Sequence, residues 1–210
     1  MSGEVRVMLV EDDPMAARHL SAIVEREENL RLVRVIESAM SAEIFCIKER
    51  IDLVLMDVCT ALNASGIDAA VKIKKSMPEV KLIIMTSQLD ADLIDRAHMG
   101  KIDSFGYKFM TDDGILELIA STLRGESVYP DLPPVVKLGS ALSSEIDRQH
   151  MNVLRELADG LTDDEIAEKL HLSVNTVKKY VSQLLMLTEF RNRTELAVNA
   201  GKLGLVTPGY

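Results

Sequence analysis

The chain has 210 residues, 47% of them hydrophobic and 27% charged, with a formal net charge of −9, which excludes a disordered or low-complexity protein and allows a real buried core. No run approaches the roughly 18 consecutive apolar residues of a membrane span, and Cys46 and Cys59 are too few for a disulfide framework. The opening stretch MSGEVRVMLVEDD carries acids where a secretion signal needs a basic start, so a cytoplasmic protein is expected.

In chain order, short β-rich apolar runs near 5–10, 31–36, 52–56, 80–85 and 102–107 alternate with helical patterns near 14–26, 39–50, 66–77, 89–99 and 112–124. That alternation predicts βαβ units and an α/β, doubly wound, five-stranded parallel sheet. Asp13 before Pro14 reads as a helix cap followed by a proline at the first helical position. Residues 125–141 (GESVYPDLPPVVKLGSA) have prolines and glycines but no helical period, and predict a linker. Beyond it the pattern is helical throughout, with helices near 143–159, 163–170, 174–187 and 193–203. The expected organisation is a domain over 1–124, a linker over 125–141 and an all-α, four-helix domain over 142–210.

Four of the apolar runs end on polar residues: VRVMLV at Glu11-Asp12, IDLVLM at Asp57, KLIIM at Thr86, and the fifth run at Lys108. In parallel sheets the residues just past the carboxyl ends of the strands line the ligand crevice. Carboxylates at Glu11, Asp12 and Asp57 suit a magnesium ion, which binds through few carboxylates and accepts phosphate oxygens. A carboxylate beside such an ion can itself accept a phosphoryl group, while an ammonium at Lys108 and a hydroxyl at Thr86 suit the oxygens that gain charge. Taken singly, the acids read as a helix-start pair and a loop starter, and Lys108 as a surface residue.

Over its first 125 residues the chain resembles the receiver domain of two-component response regulators, a flavodoxin-like fold. VMLVEDDPM is similar to the first strand with its acidic pair, LVLMDV to the phosphoacceptor strand, IIMTS to the switch-hydroxyl strand and IDSFGYK to the lysine strand. The resemblance implies that Asp57 is phosphorylated and that Glu11, Asp12, Asp57 and the backbone carbonyl of Cys59 hold Mg2+. It further implies that Thr86 and Lys108 contact the phosphoryl group and that Phe105 occupies the aromatic switch position. Two departures stand out. Thr60 and Ala61 replace the usual Met-Pro, with Gly66 nine residues after the aspartate instead of eight, and Gly100-Lys101 carries an extra residue.

Residues 141–210 carry 8 Lys and Arg against 10 Asp and Glu, yet Lys169, Lys178, Lys179, Arg191 and Arg193 gather within 169–193 against Glu189 alone. LTDDEIAEKLHLSVNTVKKYVSQLL reads as helix, turn, helix: Thr162 and Glu165 form a capping box, His171-Leu172 the turn, and Ser173 the second cap. On the second helix Val174, Val177, Val181 and Leu184 fall within roughly an 80° arc that faces inward. Asn175, Lys178, Lys179 and Ser182 occupy the opposite arc without an acid, as a helix entering a DNA groove requires; a plain solvated face more often mixes charges. EIAEKLHLS, NTVKKYV and RNRTELA resemble the LuxR-type helix-turn-helix of the NarL/FixJ class. That resemblance implies DNA contacts from Asn175, Thr176, Lys178, Lys179, Ser182 and Arg193. Tyr180 stands where His is common, and LTEF replaces a stretch that usually starts Lys-Leu-Gly.

The expected function is a transcriptional response regulator, not an enzyme beyond its own phosphoryl transfer and dephosphorylation. Its implied partners are a sensor histidine kinase, promoter DNA and a second copy of the chain on phosphorylation. One alternative is a receiver that binds DNA without being phosphorylated. Another is a haloacid-dehalogenase-type phosphohydrolase, which needs a second aspartate where this chain has Cys59.

Overall fold

A computed structural model describes residues 4–207; the outer ends of the expected domain bounds, residues 1 and 210, lie outside the described residues. The chain forms two compact units. The first comprises the residues up to Ser87 together with Ala91–Asp131, and the second Gln88–Asp90 with the residues from Leu132 onward.

In the first unit β1 (Val5–Val10), α1 (Pro14–Glu25), β2 (Leu30–Ile36), α2 (Ala42–Glu49) and β3 (Leu53–Met56) are followed by a small antiparallel pair, β4 (Cys59–Thr60) and β5 (Ala64–Ser65). Then come α3 (Gly66–Ser76), β6 (Lys81–Thr86), α4 (Ala91–Met99), β7 (Ser104–Tyr107) and α5 (Asp112–Leu123). The five long strands form one sheet in the order β2-β1-β3-β6-β7, every neighbouring pair parallel. β1, β3, β6 and β7 alternate between two buried faces, which is why they read as continuous apolar runs. Val7, Leu9, Leu53, Leu55, Ile83 and Met85 pack on one face against Leu20, Ile23 and Val24 of α1 and Ile115, Leu118 and Ile119 of α5. The Asp13 side chain accepts from the Met15 and Ala16 amides at 2.7 and 3.1 Å, so α1 starts directly behind the acidic pair.

In the second unit a short hairpin, β8 (Lys137–Leu138) and β9 (Ala141–Leu142), precedes α6 (Arg148–Ala158), α7 (Asp163–Lys169), α8 (Val174–Thr188) and α9 (Arg193–Lys202). Sequence reading expects a plain linker over 125–141; the hairpin and the attachment of Ser127–Tyr129 to β7 are what it misses. At the hairpin turn Gly139 has φ +60, and a Cβ there would stand 2.0 Å from the Thr188 carbonyl oxygen. Thr162 and Glu165 form the capping box of α7, and Ser173 caps α8 through the Thr176 amide at 3.1 Å. Val177 and Leu184 are buried, with Val174 and Val181 half-buried beside them. Among the described residues no helix is long and apolar enough to cross a membrane.

Candidate functional site

β1 and β3 are neighbours in the sheet and β7 lies one strand further on, beyond β6; the residues just past their carboxyl ends, Glu11, Asp57 and Lys108, meet there. Lys108 Nζ lies 2.6 Å from Glu11 Oε2 and 2.9 Å from Asp57 Oδ2. The other oxygen of each acid accepts a backbone amide: Glu11 Oε1 from Asp13 at 3.1 Å, Asp57 Oδ1 from Val58 at 2.7 Å. Asp57 is only 6% exposed. Burial pushes its carboxyl up to about 6, against the pull of Lys108, and Glu11 adds to the rise. Burial opposes the charge on Lys108 as well, but Asp57 and Glu11 outweigh it and hold the ammonium above its usual range.

Asp12 is exposed at the rim, and one oxygen from each of Glu11, Asp12 and Asp57 lies within 4.8 Å of the others. Three carboxylates and one ammonium leave two negative charges for a ligand to balance. That all-oxygen, open-sided set fits a hard dication such as Mg2+. Thr86 ends β6 fully buried, and its carbonyl accepts from the Lys108 amide at 3.0 Å, so the hydroxyl and ammonium positions are tied through backbone.

The atypical loop after Asp57 folds as the β4–β5 hairpin. Leu62 and Asn63 at its turn take left-handed backbone, φ 64 and 53. Thr60, in place of the usual methionine, accepts from the Ala39 amide at 3.0 Å and donates to the Ala64 carbonyl at 2.7 Å. Cys59 stands opposite Ser65 in the hairpin. Gly66 leaves no room for a side chain, since a Cβ there would meet the Asp57 carbonyl oxygen at 1.7 Å. Phe105 is 2% exposed and packs inward, edge-on to Tyr107 with ring centroids 5.7 Å apart.

In the second unit Asn175, Lys178, Lys179 and Ser182 are all exposed along α8, and Thr176 is half-buried at its cap. Neither lysine has an ion-pair partner among the described residues. Two other cations of the 169–193 cluster are engaged within the domain. Lys169 Nζ lies 2.6 Å from Glu156 Oε2. Arg193 reaches Asp163 Oδ1 at 2.6 Å and donates to the Leu161 carbonyl at 2.9 Å. Arg193, expected on the DNA face, thus braces the start of α9 against the turn before α7. Its partners lie about thirty residues back, a distance at which no local spacing rule operates.

The model of the response regulator receiver domain matches residues 7–120. The chain belongs to that family. A second model, of bacterial regulatory proteins of the luxR family, matches residues 147–200. Response regulator protein VraR of Staphylococcus epidermidis is 27% identical over 209 residues, covering 96% of this chain and 99% of the relative, and VraR of Staphylococcus aureus gives the same figures. Among solved structures, two RcsB dimers bound to two parallel DNAs align with TM-score 0.62 at 18% identity, over 95% of this chain and 98% of that one. The heme-sensing two-component regulator ChrA aligns with TM-score 0.53 at 20% identity, over 97% and 99%. The protein is a DNA-binding two-component response regulator of the LuxR class.

Proposed function

We propose that this regulator is switched by phosphorylation of Asp57 by a sensor histidine kinase, and that the phosphorylated form dimerises and binds promoter DNA through α8. The carrying observation is the pocket itself, where a buried carboxylate lies 2.9 Å from an ammonium and beside two further acids. Glu11, Asp12, Asp57 and the Cys59 carbonyl would hold Mg2+, which when bound shields the negative charge that arriving phosphoryl oxygens bring.

Asp57 Oδ2 attacks the phosphorus of the donor, the donor nitrogen leaves with its bond electrons, and an acyl phosphate forms on Asp57. Lys108 is already in reach and moves from the carboxylates to the new oxygens. Thr86, adjoining Lys108 through backbone, supplies a hydroxyl to the same group. Phe105, two strand positions before Tyr107, repacks as those groups shift. With its carboxyl near 6 before any metal binds, Asp57 is mostly ionised at neutral pH and serves as the nucleophile. The donor class follows from the family; its members work in the cytoplasm, which suits a chain with no membrane-crossing helix among its described residues.

DNA recognition by the face Asn175, Lys178, Lys179 and Ser182 is supported by its exposure and its lack of acids. With Lys169 and Arg193 engaged internally, a single copy offers few free cations. Pairing two copies doubles the cations that face phosphate and makes binding conditional on the switch. RcsB, whose dimers have been seen on DNA, offers the same architecture. The test is gel-shift binding with and without acetyl phosphate and magnesium, alongside sedimentation. Phosphorylated protein should sediment as a dimer and bind at lower concentration; identical binding and a monomer in both states would contradict the proposal.

A further inference from the structure

After α5 the chain reverses at Gly125, φ +91, and runs back along the outer edge of β7. Three consecutive residues are fastened there. Ser127 Oγ donates to the Asp103 carbonyl at 2.8 Å, the Val128 amide to Ser104 Oγ at 3.2 Å, and Tyr129 Oη to the Ile102 carbonyl at 2.7 Å. The Phe105 amide donates in return to the Val128 carbonyl at 2.9 Å. The Tyr129 ring stacks on His98, centroids 3.6 Å apart, and faces Phe105 at 6.3 Å.

Covering a sheet edge would by itself explain the backbone bonds. The rings go further. Phe105 meets Tyr107 at 5.7 Å, and Tyr107 stacks on Phe109 at 5.0 Å. Tyr107 and Phe109 flank Lys108 in the chain, so a series of ring contacts runs from the residues on either side of Lys108 to Tyr129. One member is poorly satisfied in this arrangement: Tyr107 is buried, and its hydroxyl has no hydrogen-bond partner among the described residues. A buried unpartnered hydroxyl favours any alternative packing that gives it a partner.

We propose that Ser127–Tyr129 is a strap that reads the state of the pocket through the rings of Phe109, Tyr107, Phe105 and Tyr129; this rests on Asp57 as the site of phosphorylation. New oxygens on Asp57 draw Lys108 from Glu11 and shift the backbone that carries Tyr107 and Phe109. Close-packed rings change between discrete arrangements and do not deform smoothly, so the shift passes to Phe105. Phe105 holds both the ring contact to Tyr129 and the amide bond to Val128, and its repacking loosens the strap. Three freed residues add about 10 Å to the reach of the segment that leads to the second unit.

Hydrogen exchange at the Phe105 and Val128 amides of the full-length protein tests this. Acetyl phosphate with magnesium should raise exchange at both by about tenfold, within the usual range of coupling between sites. Phe105→Leu, which lacks the ring, should accept the phosphoryl group without that rise. Intact mass of the same samples reports labelling separately, so protection unchanged in fully labelled protein overturns the strap and leaves Asp57 as acceptor. A second comparison needs no phosphoryl chemistry. Lys108→Met, or Lys108→Arg if the first does not fold, disturbs the pocket end of the ring series and should raise exchange at the same amides. Unchanged exchange in the folded variant overturns the strap whatever the role of Asp57.

Discussion

Lys108 Nζ stands 2.9 Å from Asp57 Oδ2, so the central carboxylate of the pocket meets its cation inside the protein. Removing that cation leaves Asp57 and Glu11 buried together without compensation. Lys108→Met should therefore lower stability in the absence of metal by on the order of 3 kcal/mol, the usual penalty for breaking a buried pair. Urea denaturation at pH 8 measures it.

Asp57 gives a pH signature. Its carboxyl titrates near 6 in the folded protein against 3.8 for the free group. Between those values the folded state keeps a proton that the unfolded state gives up, so stability falls as pH rises through the window. The cost of ionising Asp57 is on the order of 3 kcal/mol without metal. Asp57→Asn should thus stabilise the metal-free protein at pH 8, and the gain should disappear below about pH 4. Magnesium should stabilise the parent at pH 8 more than the variant. Thermal melts across the pH range check all three outcomes.

Two glycines should respond oppositely to alanine. A Cβ at Gly66 would overlap the Asp57 carbonyl oxygen at 1.7 Å, whereas Gly201 in α9 has nothing within 4 Å. Gly66→Ala should cost about 1–3 kcal/mol through overpacking and slow labelling of Asp57. Gly201→Ala should gain about 0.5–1 kcal/mol from helix propensity. Chemical denaturation of the two variants gives the comparison.

The pocket was legible because four of the five apolar runs stop abruptly at a polar residue of the site, and parallel strands bring such ends together without any knowledge of tertiary packing. Glu11, Asp57 and Lys108 therefore meet as the sequence implies. The α8 faces were legible for a similar reason, since Val177 and Leu184 repeat at helical spacing. The remainder depends on partners far along the chain. Arg193 is diverted by Asp163 and Leu161, Lys169 by Glu156, and Ser127–Tyr129 by the free edge of β7. The hairpin at Thr60 was hidden because its fixing bonds come from one hydroxyl that serves both Ala39 and Ala64.

The lysines of α8 and Arg193 should separate in DNA binding. Lys178→Ala or Lys179→Ala should reduce the salt slope of binding by about 0.9 for each phosphate that a subunit no longer neutralises, and should leave the fold intact. Arg193→Ala should instead destabilise the second unit by about 1.5–3 kcal/mol, the range for a charged hydrogen bond. Binding isotherms across salt concentrations, paired with melts, distinguish the two effects. A folded Lys178→Ala, Lys179→Ala double variant with an unchanged slope would remove α8 as the DNA-facing helix.

The central claim is that Asp57 is the phosphoacceptor, and intact mass spectrometry after treatment with acetyl phosphate and magnesium tests it most directly. The parent protein should gain the mass of a single phosphoryl group, and Asp57→Asn should gain none. Equal labelling of the two proteins, or no labelling of the parent at any magnesium concentration, would contradict the account.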